Sequence, residues 1–105
     1  MLEVVGHASG TVIGLSGKLD VHAAADVRNA LVDAVAAGSG ELVLDLSALE
    51  AVDATGLGVL VGAHRRAQRA GRTLVLVDVP VPVARLLFVT RLDRVLATRR
   101  TERCA

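Results

Sequence analysis

Aromatic side chains are nearly missing, with Phe88 the one example in 105 residues. A chain without aromatics cannot build a platform on which bases stack, so single-stranded nucleic-acid recognition by stacking is excluded as a leading function. The interior has to be assembled from Leu, Val and Ala instead. Cysteine is equally scarce. Cys104 stands alone near the end, which forbids an internal disulfide and fits a reducing compartment. No apolar run approaches the roughly 18 residues that a membrane span requires. The opening Met1-Leu-Glu-Val also lacks the basic stretch followed by an apolar one that marks an export leader. The expected location is the cytoplasm, and neither a membrane nor nucleic acid is expected as a direct partner.

What is present is a core-forming composition. Hydrophobic residues make up 52% and charged residues 22%, which excludes a disordered chain, because disorder combines low hydrophobicity with high net charge. The length suits a single domain, the usual size being roughly 100 to 200 residues. A net charge of +1 conceals an asymmetry: residues 1–55 carry eight acids and two bases, residues 56–105 three acids and ten bases. Arg65, Arg66, Arg69 and Arg72 are expected on the outer face of a helix and its exit, where charges are ordinarily solvated.

Periodicity supplies the elements. Residues 2–7 and 11–15 are short β-rich runs parted by Ala8-Ser9-Gly10, which reads as a hairpin. Val27, Ala30, Leu31, Ala34 and Val35 recur at helical steps between Gly17-Lys-Leu-Asp20 and Gly38-Ser39-Gly40. Residues 42–46 and 74–79 are continuous apolar runs of strand length, as expected of central strands. Between them, Leu57, Leu60, Val61 and Ala67 share one stripe of a helix over residues 55–70, closed by Gly71. Pro80 and Pro82 end the strand before a short helix over residues 83–89, and residues 94–97 read as a last strand. The expected fold is α/β: a small, mainly parallel, mixed sheet of 4–5 strands wound with 3–4 helices and opening with a β-hairpin. One domain over residues 1–97 and a loose tail over 98–105 account for the chain.

The segment Asp53-Ala-Thr-Gly-Leu-Gly58 is where chemistry is most expected. A helix starting there leaves its first N–H groups without intrahelical partners at the positive end of the dipole, an arrangement that favours anions. Thr55 can cap those donors with Asp53 contributing a carboxylate, so a plain helix start accounts for the motif about as well. Gly56, Gly58 and Gly62 add a cost of roughly 1 kcal/mol each relative to Ala, which suggests close backbone approach. Gly58 and Gly62 suit close packing of the helix on the sheet, whereas Gly56, nearer the tip, suits an external partner. Nucleotide binding is a poor match, since neither a phosphate-binding loop nor a third glycine of a dinucleotide fingerprint is present. His7, His22 and His64 are scattered, no nucleophile elbow exists, and Asp20, Asp45 and Asp53 alone do not make a metal site. No enzyme, cofactor or metal is expected.

The string Val43-Leu-Asp-Leu-Ser-Ala-Leu-Glu-Ala-Val-Asp-Ala-Thr-Gly-Leu-Gly-Val-Leu60, together with Gly17-Lys-Leu-Asp20, residues 74–79 and residues 86–96, resembles the STAS domain family, particularly bacterial anti-sigma factor antagonists. The resemblance spans nearly all of residues 1–97. It implies a regulator of transcription that works by protein–protein interaction: it binds an anti-sigma factor, often a serine kinase with an ATPase-like fold, and thereby frees a sigma factor. It places partner contacts at Asp20, Asp53, Ala54, Thr55, Gly56, Leu57 and Gly58 and on the face around His64 and Arg65. In such proteins the helix tip is a signalling switch, and phosphorylation there ends the interaction by adding charge. A second reading keeps the fold and makes the chain a small subunit on the ATPase of a lipid-transport ABC system.

Two departures from the family pattern matter. The usual acceptor follows the Asp directly, and here that residue is Ala54, so Thr55 carries the one hydroxyl left in the loop. Either Thr55 is the acceptor or the switch is absent. The crowding of a Thr55 phosphate by Asp53 leans toward the second. Relatives also commonly carry a further amphipathic helix after the last strand, for which Ala97-Thr-Arg-Arg-Thr-Glu-Arg-Cys-Ala105 has no apolar stripe. The face left uncovered would then invite a homodimer.

Overall fold

A computed structural model describes residues 3–6 and 12–100. Five strands lie in the spatial order of the chain: β1 (Glu3–Gly6), β2 (Val12–Leu19), β3 (Glu41–Val52), β4 (Thr73–Val77) and β5 (Ala97–Arg99). β1 pairs antiparallel with β2, from Glu3 opposite Ser16 to Gly6 opposite Ile13, and every later neighbour is parallel. Parallel neighbours require a crossover, supplied by α1 (Ala24–Ala37), α2 (Ala54–Arg69) and α3 (Val81–Val89) with a 3-10 turn at Leu92–Arg94. The expected hairpin pairing and mixed sheet are therefore present. The Ala8-Ser9-Gly10 turn, His7 and Cys104 lie outside the described residues.

The sheet has two unlike faces. Ile13, Leu15 and Leu19 on β2, Leu42, Leu44 and Leu46 on β3 and Leu74 and Leu76 on β4 are buried in one cluster with Val27 and Leu31 of α1, Leu57 and Leu60 of α2 and Val83 and Leu87 of α3. Alternate residues point the other way. On that second face Val12, Gly14, Ser16, Val43 and Asp45 are half-buried. Arg99 on β5 reaches across β4 to Glu41 on β3, with Nη2 2.6 Å from Oε1. Its hydrogen bond holds the exposed Glu41 carboxyl below the usual carboxylate range.

Three boundaries differ from expectation for physical reasons. The last strand is Ala97–Arg99, while Leu92–Arg94 form the 3-10 turn. Arg91 enters the left-handed region at φ 62°, and the N–H groups of Val95 and Leu96 then close onto the Leu92 carbonyl. Thr98 and Arg99, expected in the tail, thus belong to an edge strand whose three residues are all exposed. Both β2 and β3 run on to Leu19 and Val52, beyond their apolar runs. Helix α3 begins at Val81, with Pro82 inside its first turn, where a missing N–H removes no intrahelical bond.

Arg72 overturns its expected solvated position. It is 4% exposed. Gly71, at φ 72°, ends α2 in a left-handed cap, and the Arg72 N–H donates back to the Ala67 carbonyl at 2.8 Å, as in a Schellman motif. That turn sends the guanidinium inward. Nη1 donates to the carbonyls of Ala34 at 2.7 Å and Val35 at 3.1 Å, and Nε to Gly40 at 3.0 Å. The first two are orphan acceptors in the last turn of α1, so a residue that follows α2 caps a different helix.

Candidate functional site

The site begins with neighbouring strand ends. Leu19 closing β2 and Val52 closing β3 are register partners, so the segments that follow them, Asp20–Ala23 and Asp53–Leu57, emerge side by side. The Asp53 N–H donates to the Leu19 carbonyl at 3.2 Å, continuing the pairing one step past the strand.

Asp53, rather than Thr55, caps α2. Its backbone is extended, its Oδ1 accepts from the Gly56 N–H at 2.8 Å, and its carbonyl accepts from Leu57 at 2.9 Å. The other carboxylate oxygen accepts from the Val21 N–H at 3.2 Å. One carboxylate therefore ties the β2–α1 turn to the start of α2. Asp20 works on its own turn, with Oδ1 accepting from His22 at 3.0 Å and Ala23 at 3.2 Å. Asp45 caps Ser47 from within β3 at 2.9 Å, on the face away from the helices. The three acids do not form one group, and among the described residues no three His, Cys, Asp or Glu side chains could hold a metal ion.

The glycines divide opposite to expectation. A Cβ on Gly56 would collide with the Leu19 carbonyl oxygen and lie 2.7 Å from Val52 Cγ2 and 2.8 Å from Leu19 Cγ. Gly56 is buried, and it is the residue that lets α2 sit on the ends of β2 and β3. Around Gly58 and Gly62 a Cβ would meet nothing within 4 Å, so these are the outward-facing glycines. The corrected geometry follows from the helical period: Gly56 lies four residues before Leu60 and seven before Ala63, and turns inward with that stripe. Leu57, expected at the partner surface, is likewise buried in the core.

What remains outward is Ala54, Thr55, Gly58 and Arg65, all exposed, with His64 half-buried. The His64 Nδ1 is buried and has no hydrogen-bond partner among the described residues. Val21 joins this surface at 61% exposure, held beside Thr55's helix by the Asp53 bond. It was not anticipated from the sequence. An apolar residue placed directly after an Asp that caps a turn was the available signal. The arrangement offers a shallow surface with one free hydroxyl at a helix N-terminus, and no nucleophile paired with a base.

Comparison with known proteins gives a consistent picture. The STAS domain family model matches residues 1–105. An anti-sigma F factor antagonist from Paenibacillus polymyxa is 32% identical over 96 residues, covering 90% of this chain and 82% of that protein. The crystal structure of an anti-sigma factor antagonist from Mycobacterium paratuberculosis superposes with a TM-score of 0.80 at 26% identity, covering 96% of this chain and 86% of that one. The Bacillus cell fate determinant SpoIIAA, in its phosphorylated form, shares the fold with a TM-score of 0.74 at 19% identity, covering 97% and 92%.

Proposed function

The chain belongs to the STAS domain family, and on that premise we propose that it is an anti-sigma factor antagonist, a non-catalytic protein that frees a sigma factor by occupying an anti-sigma factor of the ATPase-like kinase type. The relatives described above favour this reading over a subunit of a lipid transporter. The observation that carries it is the double use of Asp53, which fixes Val21 and the first turn of α2 as one outward surface. Val21, Ala54, Thr55, Gly58 and Arg65 supply the contact. Asp20 and Asp53 act behind it by shaping the two turns, and Gly56 and Leu57 seat the helix.

The absence of a hydroxyl at position 54 makes the protein an unswitched binder. Thr55 is exposed at the helix tip, where the dipole favours a phosphate. The Asp53 carboxylate, held against the Gly56 N–H, opposes that charge at close range. Incubation with a candidate partner kinase and ATP, followed by intact-mass measurement, tests both parts. The expected outcome is a stable complex, no mass gain on wild type, and one phosphate on Ala54→Ser. A phosphate on wild type that disappears in Thr55→Ala would instead make Thr55 the switch. Failure to form a complex with any anti-sigma factor of the same genome would overturn the antagonist reading itself.

A further inference from the structure

Helix α3 poses a problem that the docking surface on α2 does not absorb. Its sequence, Val81-Pro-Val-Ala-Arg-Leu-Leu-Phe-Val89, has a single charged residue, and a helix apolar on all sides is normally enclosed on all sides. Only one side is. Val83 and Leu87 are buried, while Val81, Phe88 and Val89 are 67%, 72% and 71% exposed. Spaced at seven and eight residues, these three share the outer stripe with Arg85. Val95, just beyond, is 47% exposed. Four of the five large exposed hydrophobic residues of the described chain therefore lie within residues 81–95.

The charges around this stripe are mostly basic. Arg85, Arg91, Arg94 and Arg100 are exposed, and among the described residues no carboxylate lies within ion-pair distance of Arg85, Arg91 or Arg94. Asp93 is the one exposed acid of residues 79–100. A second copy of the chain docked through the same stripe would set Arg85 against Arg85 and basic rim against basic rim, which opposes a symmetric dimer. A protein groove would need polar groups to fix its register. Arg85 is the one polar side chain the stripe offers, because the Thr90 hydroxyl is already spent on the carbonyls of Leu86 at 2.7 Å and Leu87 at 3.2 Å. An anionic bilayer surface needs no register. It receives apolar side chains at the headgroup boundary and arginines among the lipid phosphates.

We propose that the outer face of α3, with Val81, Phe88 and Val89 ringed by Arg85, Arg91 and Arg94, is a peripheral docking surface for anionic lipid. The expectation of no membrane partner came from the lack of a spanning run, and among the described residues no helix is long and apolar enough to cross a membrane. Lying on a bilayer requires only a basic, apolar face. This surface shares no residue with the contact proposed at the α2 tip, and its contact is weak and reversible, as one short helix without a lipid anchor must be.

The test is co-sedimentation of the full chain with vesicles of phosphatidylglycerol and phosphatidylcholine in equal amounts, against pure phosphatidylcholine. The expected result is binding to the anionic vesicles alone, lost on raising salt, and weakened by about tenfold in Phe88→Ser and in Arg91→Glu. Both positions are exposed, and circular dichroism confirms that each variant keeps the fold. No sedimentation with anionic vesicles overturns the proposal, as does binding that survives both substitutions. A wild-type dimer in light scattering that Phe88→Ser separates, without vesicle binding, assigns the stripe to a second copy and overturns the lipid occupant.

Discussion

Asp53 and Arg72 stand at opposite ends of two neighbouring parallel strands, one just after β3 and one just before β4, and each ties together segments distant in sequence. Arg72 is buried and spends its guanidinium on carbonyls of α1 and the turn into β3. Asp53 is half-buried and spends its carboxylate on N–H groups of two turns whose Val21, Ala54 and Thr55 remain exposed. Both bonds complement a helix end, the arginine at the negative end of α1 and the aspartate at the positive end of α2. The arginine end is closed and serves stability. The aspartate end is open and serves presentation. A charged residue in a loop thus reveals its role through what its bonds leave uncovered.

Arg72→Met is the substitution that most severely tests the closed end. It keeps side-chain volume but leaves several carbonyls without a donor, and the expected loss is about 3 kcal/mol, read as a lower urea midpoint at unchanged slope. A loss no larger than that of an exposed Arg65→Met would break the comparison. At the open end Gly56→Ala comes next, at about 2 kcal/mol, because its Cβ has no room against Leu19 and Val52. The same change at Gly58, where the space is empty, should stabilise slightly by favouring the helix. Asp53→Ala removes the cap and costs about 1 kcal/mol. Partner affinity should fall by more than the stability change explains, since Val21 loses its tether. The smallest effect belongs to Glu41→Gln. The Glu41 pKa is lowered by its hydrogen bond to Arg99, so its contribution is present above the ordinary carboxylate range and fades as pH falls through the lowered value. The variant and wild type should therefore differ slightly at neutral pH and converge in acid denaturation profiles.

Much of the fold could be read from residue pattern because burial on one face writes itself as period. The Val27, Leu31, Ala34 stripe and the runs at 42–46 and 74–79 are dictated by the core they form. β5 was displaced for the converse reason: it is an edge strand, exposed on all three residues, and the pairing of Thr98 with Leu76 and Arg99 with Val77 is made by backbone that any side chain could carry. Arg72 was misplaced because a cation after a helix looks solvated until the left-handed turn at Gly71 aims it inward. The Asp53 to Gly58 segment was recognisable as the site, yet the division of labour within it was not. Gly56 falls four residues before Leu60 on the buried stripe while Gly58 and Gly62 fall off it, so the helical period already held the answer that closeness to the tip obscured.

The shared carboxylate at Asp53 has an energetic consequence for association. Two loops that must each be ordered by a partner add their entropic losses to the cost of binding, whereas loops already bolted together present a single rigid body. Whatever approaches Val21 and Thr55 meets both at once, and loosening either one loosens the other's grip.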